Sequence, residues 1–133
     1  MTKLRYTPPH DLEIEGAQQD LAEIEARIRA LAQVDKGVIE ILGDSIGSPA
    51  PYQTWLESLV IMAGTGALVA SVARDRRLNI TGSAANLEIM ASYFAFRPDT
   101  PDGHHTHLEY HPGDEWIAQE SVPIVVCVRV PSR

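Results

Sequence analysis

The pattern Leu-x-Ile-x-Gly occurs twice, as Leu12-Glu-Ile-Glu-Gly16 and as Leu78-Asn-Ile-Thr-Gly82. Alternation of apolar and polar residues marks a half-buried strand, and the glycine closes it. The period then changes in both places. Leu21, Ile24, Ile28 and Leu31 fall three or four residues apart, as do Leu87, Met90, Ala91 and Phe94. That spacing puts each set on one face of a helix. A leucine, Leu21 or Leu87, stands five residues after each glycine. Later the dipeptides Gly43-Asp44 and Gly113-Asp114, then Glu57-Ser58 and Glu120-Ser121, recur in the same order. The chain therefore reads as two tandem βαββ halves.

The rest of the chain fits around that frame. Residues 1–10 read as a loose arm, 17–34 and 84–96 as helices, and 38–42, 57–63, 67–73, 104–110 and 121–130 as strands. Ser83 is placed to cap the second helix, and Pro98 to end it. Gly64-Thr65-Gly66 reads as a hairpin turn between residues 57–63 and 67–73. The expected fold is α+β, a mostly antiparallel sheet with two helices on one face. One domain is expected over residues 1–133, with residues 10–63 as the first βαββ half. Residues 64–133 would hold a hairpin strand and the second half. Two such units side by side would form one continuous sheet. Strands 57–63, 67–73 and 121–130 are apolar on both faces, so cover for the second face is expected, as in a homodimer.

Hydrophobic residues make up 44% of the 133, and the formal net charge is −7. Acidity disfavours nucleic acid, since phosphates repel it. Cys127, the one cysteine, lies in an apolar run and suits a reducing compartment. Neither a signal-peptide core nor an apolar run of membrane-spanning length is read. The expected setting is the cytoplasm, with no membrane and no nucleic acid as partner.

Chemistry is sparsely signalled. Neither a nucleophile elbow nor a phosphate-binding Gly-x-x-x-x-Gly-Lys is read, and no catalysis is expected. In the run His104-His-Thr-His-Leu-Glu-Tyr-His111, strand periodicity would point His105, His107 and Glu109 the same way. Two histidines and a carboxylate are a weak metal-ligand set, and they need further ligands from elsewhere. No metal and no cofactor are expected. Trp116 stands in an acidic loop beside Asp114 and Glu115. Folded onto the core it would be structural. Exposed, it would be an aromatic anchor for a basic protein surface, with Asp44 and Glu109 adding charge.

Residues 66–130 resemble a group of small bacterial immunity proteins of polymorphic toxin systems. The resemblance is carried by Leu78-Asn-Ile-Thr-Gly-Ser83, by Asn86-Leu87 in the helix, by His105-Thr-His-Leu-Glu-Tyr110 and by Ser121-Val-Pro-Ile-Val-Val126. It implies a non-enzymatic protein that binds and neutralises a cognate toxin. It fixes no toxin-contacting residue. The alternative from the residues is a small-molecule or metal-binding α+β domain using the histidine-rich strand.

Overall fold

A computed structural model describes residues 1–131. The strands and helices follow in the order β1 (Lys3–Thr7), β2 (Asp11–Gly16), α1 (Gln18–Val34), β3 (Val38–Leu42), β4 (Thr54–Trp55) and β5 (Ser58–Ala63). Then come β6 (Val69–Val72), β7 (Arg77–Gly82), α2 (Ala84–Ser92), β8 (His105–Leu108) and β9 (Ile124–Val128). The fold is α+β. The strands form two mixed, mostly antiparallel sheets, ordered β4-β1-β2-β9-β8 and β3-β5-β7-β6.

The two sheets exchange strands between the repeats. β1 and β2 form an antiparallel pair in the first sheet, whereas β3 and β5 form one in the second. β6 with β7, and β8 with β9, do the same with the sheets reversed. Each sheet is then closed by one parallel pair. β2 lies on β9 with Leu12 opposite Ile124, and β5 lies on β7 with Leu59 opposite Leu78. The chain thus runs twice along a ββαββ path, and each run supplies the central neighbour that the other lacks. A lone run would leave two isolated strand pairs, which are marginal in water.

Four expectations are corrected here. Residues 1–10 are not a loose arm, because Lys3–Thr7 pairs with β2 and Leu4 is wholly buried. Gly64-Thr65-Gly66 is not a hairpin turn, because β7 lies between β5 and β6. These residues instead run past the end of β7, where the amide of Gly64 bonds the carbonyl of Gly82 and that of Ser83 bonds Gly66. The sheet is not continuous but divided in two. The Gly-Asp matches are not equivalent in space. Ile41 faces Leu59 and Leu108 faces Ile124, so Gly43 lies two residues past its strand's reference point and Gly113 five.

Both sheets turn one row of side chains inward. Leu4, Leu12, Ile14, Ile124 and Val126 from the first meet Leu59, Ile61, Leu78 and Ile80 from the second, in one core with Leu21, Ile28, Leu87 and Met90 of the helices. Each such burial contributes roughly 1.5–3 kcal/mol before chain entropy is subtracted. The helices pack on each other, and α1 also touches β2, β3 and β5. Ser83 caps α2 as its position suggests, its hydroxyl accepting from the amide of Asn86 at 3.3 Å. The helix ends at Ser92 rather than 96, with the amide of Phe94 bonding back to Ala91 in a tighter turn. Phe94 still packs into the core.

Candidate functional site

The outward faces of the two sheets differ in kind. Across the first sheet, one row runs Trp55, Arg5, Glu13, Val125, His107. Arg5 bonds Glu13 at 3.0 Å and Glu15 at 2.8 Å, and lies over the Trp55 ring with its carbon 5.3 Å from the centroid. This face carries a largely buried ionic network. Across the second sheet one outward row runs Val38, Met62, Thr81, Val69 and the next runs Glu40, Val60, Asn79, Ser71. The two-sided apolarity read in the sequence is thus strongest on the second sheet.

The acidic loop after β8 is tied down from within. The amide of His111 donates to Asp114 Oδ2 at 2.8 Å, and the His111 ring lies 3.6 Å from Asp114 and 3.8 Å from Glu109. Glu115 is exposed. Trp116 is half-buried and stacks on Tyr93, with centroids 5.4 Å apart and 20° between planes. Its carbonyl accepts from Leu68 at 2.7 Å. The indole is therefore part packing and part surface. Burial raises the Tyr93 hydroxyl pKa, with a further push from Asp114. Glu109, Asp114, Glu115 and Trp116 form one neighbourhood.

Asp44 stands apart from it. Asp44 caps the amide of Ile46 at 3.1 Å, lies 3.8 Å from the Lys3 ammonium and bonds Thr2 through its own amide. Lys3 and Glu15 mark one end of the first sheet, and Glu109 follows β8 at the other.

His105 and His107 do share the outer side of β8, their rings edge to face at 4.9 Å. With His10, Asp11, Tyr52 and Glu109, His107 also lines a cleft of about 340 Å³. Sequence spacing missed this convergence of residues 10–11 with 107–109, because the parallel pairing of β2 with β9 that creates it leaves no local signal. Among the described residues, no three histidine, cysteine or carboxylate side chains are disposed to hold a metal ion. Burial raises the Cys127 thiol, which sits inside the structure.

Gly43-Asp-Ser-Ile-Gly47 does carry the Gly-x-Ser-x-Gly spacing. A nucleophile elbow needs a strand turning sharply into a helix. Here the residues follow β3 into a loop that leads to β4, and Ser45 is exposed. Among the described residues, no histidine bonds to it.

Residues 77–129 match the sequence model of a family described as Immunity protein 32. The match runs from β7 through α2, β8 and the acidic loop to the end of β9, leaving the first run of the chain outside it. No curated protein and no solved structure matches the chain. No helix among the described residues is long and apolar enough to cross a membrane.

Proposed function

We propose that this protein is a non-enzymatic immunity protein that binds and neutralises a cognate bacterial toxin in the cytoplasm of the producing cell. The match to the Immunity protein 32 family over residues 77–129 carries the proposal. The same segment holds the loop with Glu109, Asp114, Glu115 and Trp116, which supports that loop as a contact surface. A protein that inhibits without chemistry works by covering a surface. An acidic one is steered toward basic clefts, such as those with which enzymes hold nucleic acid. Asp44, at a separate corner, would contribute only to a partner that spans the first sheet.

Self-association belongs to the same proposal. A homodimer would bury the outward face of the second sheet around Val60, Met62 and Val69. The test of function is direct binding. Isothermal titration against the cognate toxin domain should give a stoichiometric complex with Kd below about 1 µM. No heat of binding at tens of micromolar, roughly the range of weak encounters, would contradict the proposal.

A further inference from the structure

We propose that the open edge of β3 is a docking strand for an extended segment of the protein partner, one that carries lysine or arginine between apolar residues at every second position. The proposal rests on reading the chain as an inhibitor of another protein, and the experiment below separates failure of the two.

An unpaired strand edge templates association, and proteins usually cover or charge it. Here the edge of β1 is covered by β4. The edge of β6 is covered by residues 116–122, through bonds from Leu68 to Trp116, from Ala118 to Leu68 and from Val122 to Ala70. β4 is itself an outer strand but only two residues long, which leaves β8 and β3 as the longer outer strands. β8 presents His105 and His107, whereas β3 presents Val38 and Leu42, which are 59% and 73% exposed. β3 contains no lysine, proline or bulge.

The free groups of this edge are defined by its ladder. The carbonyl of Gly37 accepts from Ala63, and the amide of Gly43 donates to Glu57. Odd-numbered residues therefore bond to β5, and the amides and carbonyls of Val38, Glu40 and Leu42 face outward. Among the described residues, only the Glu40 carbonyl has a partner there, Arg27 Nη2 at 3.3 Å.

Both sides of an added strand find chemistry to meet. Beneath the edge, between the end of α1 and β3, lies a mostly apolar groove of about 340 Å³ lined by Ala30, Leu31, Val34, Val38 and Ile39, together with the cations Arg27 and Lys36, so the apolar residues of the added segment face the groove and its cation faces Glu40 on the other side. On the outer side Glu40 stands between Val38 and Leu42, with only a half-exposed Arg77 3.9 Å away. Strand addition takes affinity from main-chain bonds and specificity from alternate side chains. Glu40 selects a cation, and its neighbours select apolar residues. A second copy fits less well, since symmetric pairing about Glu40 would oppose two carboxylates on chains that each carry −7.

The test uses the full chain with the toxin domain that it binds in the titration above. In hydrogen exchange, the amides of Val38, Glu40 and Leu42 should slow about tenfold or more on complex formation. Glu40→Pro removes an outward amide and the Glu40 carboxylate but no bond to β5, so the fold should persist while affinity falls by about tenfold or more, and Glu40→Gln, which keeps the amide, separates the two losses. Glu40→Lys, which keeps the amide, should also weaken the complex, most at low salt. Should Glu40→Pro fail to fold, Glu40→Lys and the exchange data decide. A tight complex with those amides unprotected and these variants unaffected would overturn edge docking and leave the inhibitor proposal standing. No complex at all would overturn both. A dimer of the chain alone that is lost in Glu40→Pro would assign the edge to a second copy, and that too would overturn the proposal.

Discussion

The carboxylate of Glu15 accepts a 2.9 Å hydrogen bond from Arg129 Nε, a residue 114 positions further along the chain. Arg5 donates to the same oxygen at 2.8 Å. Glu15 is only 8% exposed. Burial pushes its pKa up, but the bonds from Arg129 and Arg5 outweigh that and hold it below the ordinary value. A carboxylate with a depressed folded pKa stabilises the fold above its unfolded pKa. That contribution is lost as pH falls through the folded value. Thermal unfolding followed from neutral pH into acid should show stability declining below the ordinary glutamate value of 4.5. Glu15→Gln should remove that part of the decline and cost about 1–3 kcal/mol at neutral pH. An unchanged acid limb in the variant would mean that Glu15 is not the responsible group.

Gly82 closes the second Leu-x-Ile-x-Gly where the backbone of Leu68 passes close by. An added Cβ would lie 3.2 Å from Leu68 Cα and 3.2 Å from its Cδ1. Backbone yields poorly, so Gly82→Ala should destabilise by about 1–3 kcal/mol in urea unfolding. At Gly16 the nearest atom is a side-chain carbon of Leu21 at 3.4 Å. Gly16→Ala should therefore cost less. The reverse order would show that the two glycines are needed for some other reason.

Ser58 is buried, and its hydroxyl has no hydrogen-bond partner. Removing an unpaired buried hydroxyl relieves its desolvation cost. Ser58→Ala should match or exceed the parent by up to about 1 kcal/mol in the same assay. A loss larger than that would reveal a partner for the hydroxyl.

The acidic loop predicts a kinetic effect. Asp114→Lys with Glu115→Lys should slow association with the toxin domain and flatten its salt dependence, since charged surfaces act mainly on the encounter rate. Asp114 also anchors the His111 amide. Glu115→Lys alone is therefore the cleaner probe, and stopped-flow association at two salt concentrations reads it. Unchanged rates at low salt would leave the loop a solubilising surface.

Local grammar was legible and long-range pairing was not. Alternation and helical period located β2, β7 and the buried faces of both helices, and Ser83 capped α2 as its type suggests. Period-two reasoning also placed His105 and His107 on one side of β8. The hairpin expectation failed because glycines at residues 64 and 66 signal a change of direction without naming the strand that pairs next. β1 was missed because Leu4 and Tyr6 give too short an alternation, and the strand is defined by its partner β2. The cleft shared by His10 and His107 depends on a parallel pair between the start and end of the chain. The open edge of β3 follows from sheet order, which local patterning does not encode.

Growth protection tests the central claim most directly. Cells producing the cognate toxin domain should stop growing when it is made alone, and should recover when this chain is made in at least equal amount. Continued arrest, with the chain present in soluble form and in excess, would contradict the account.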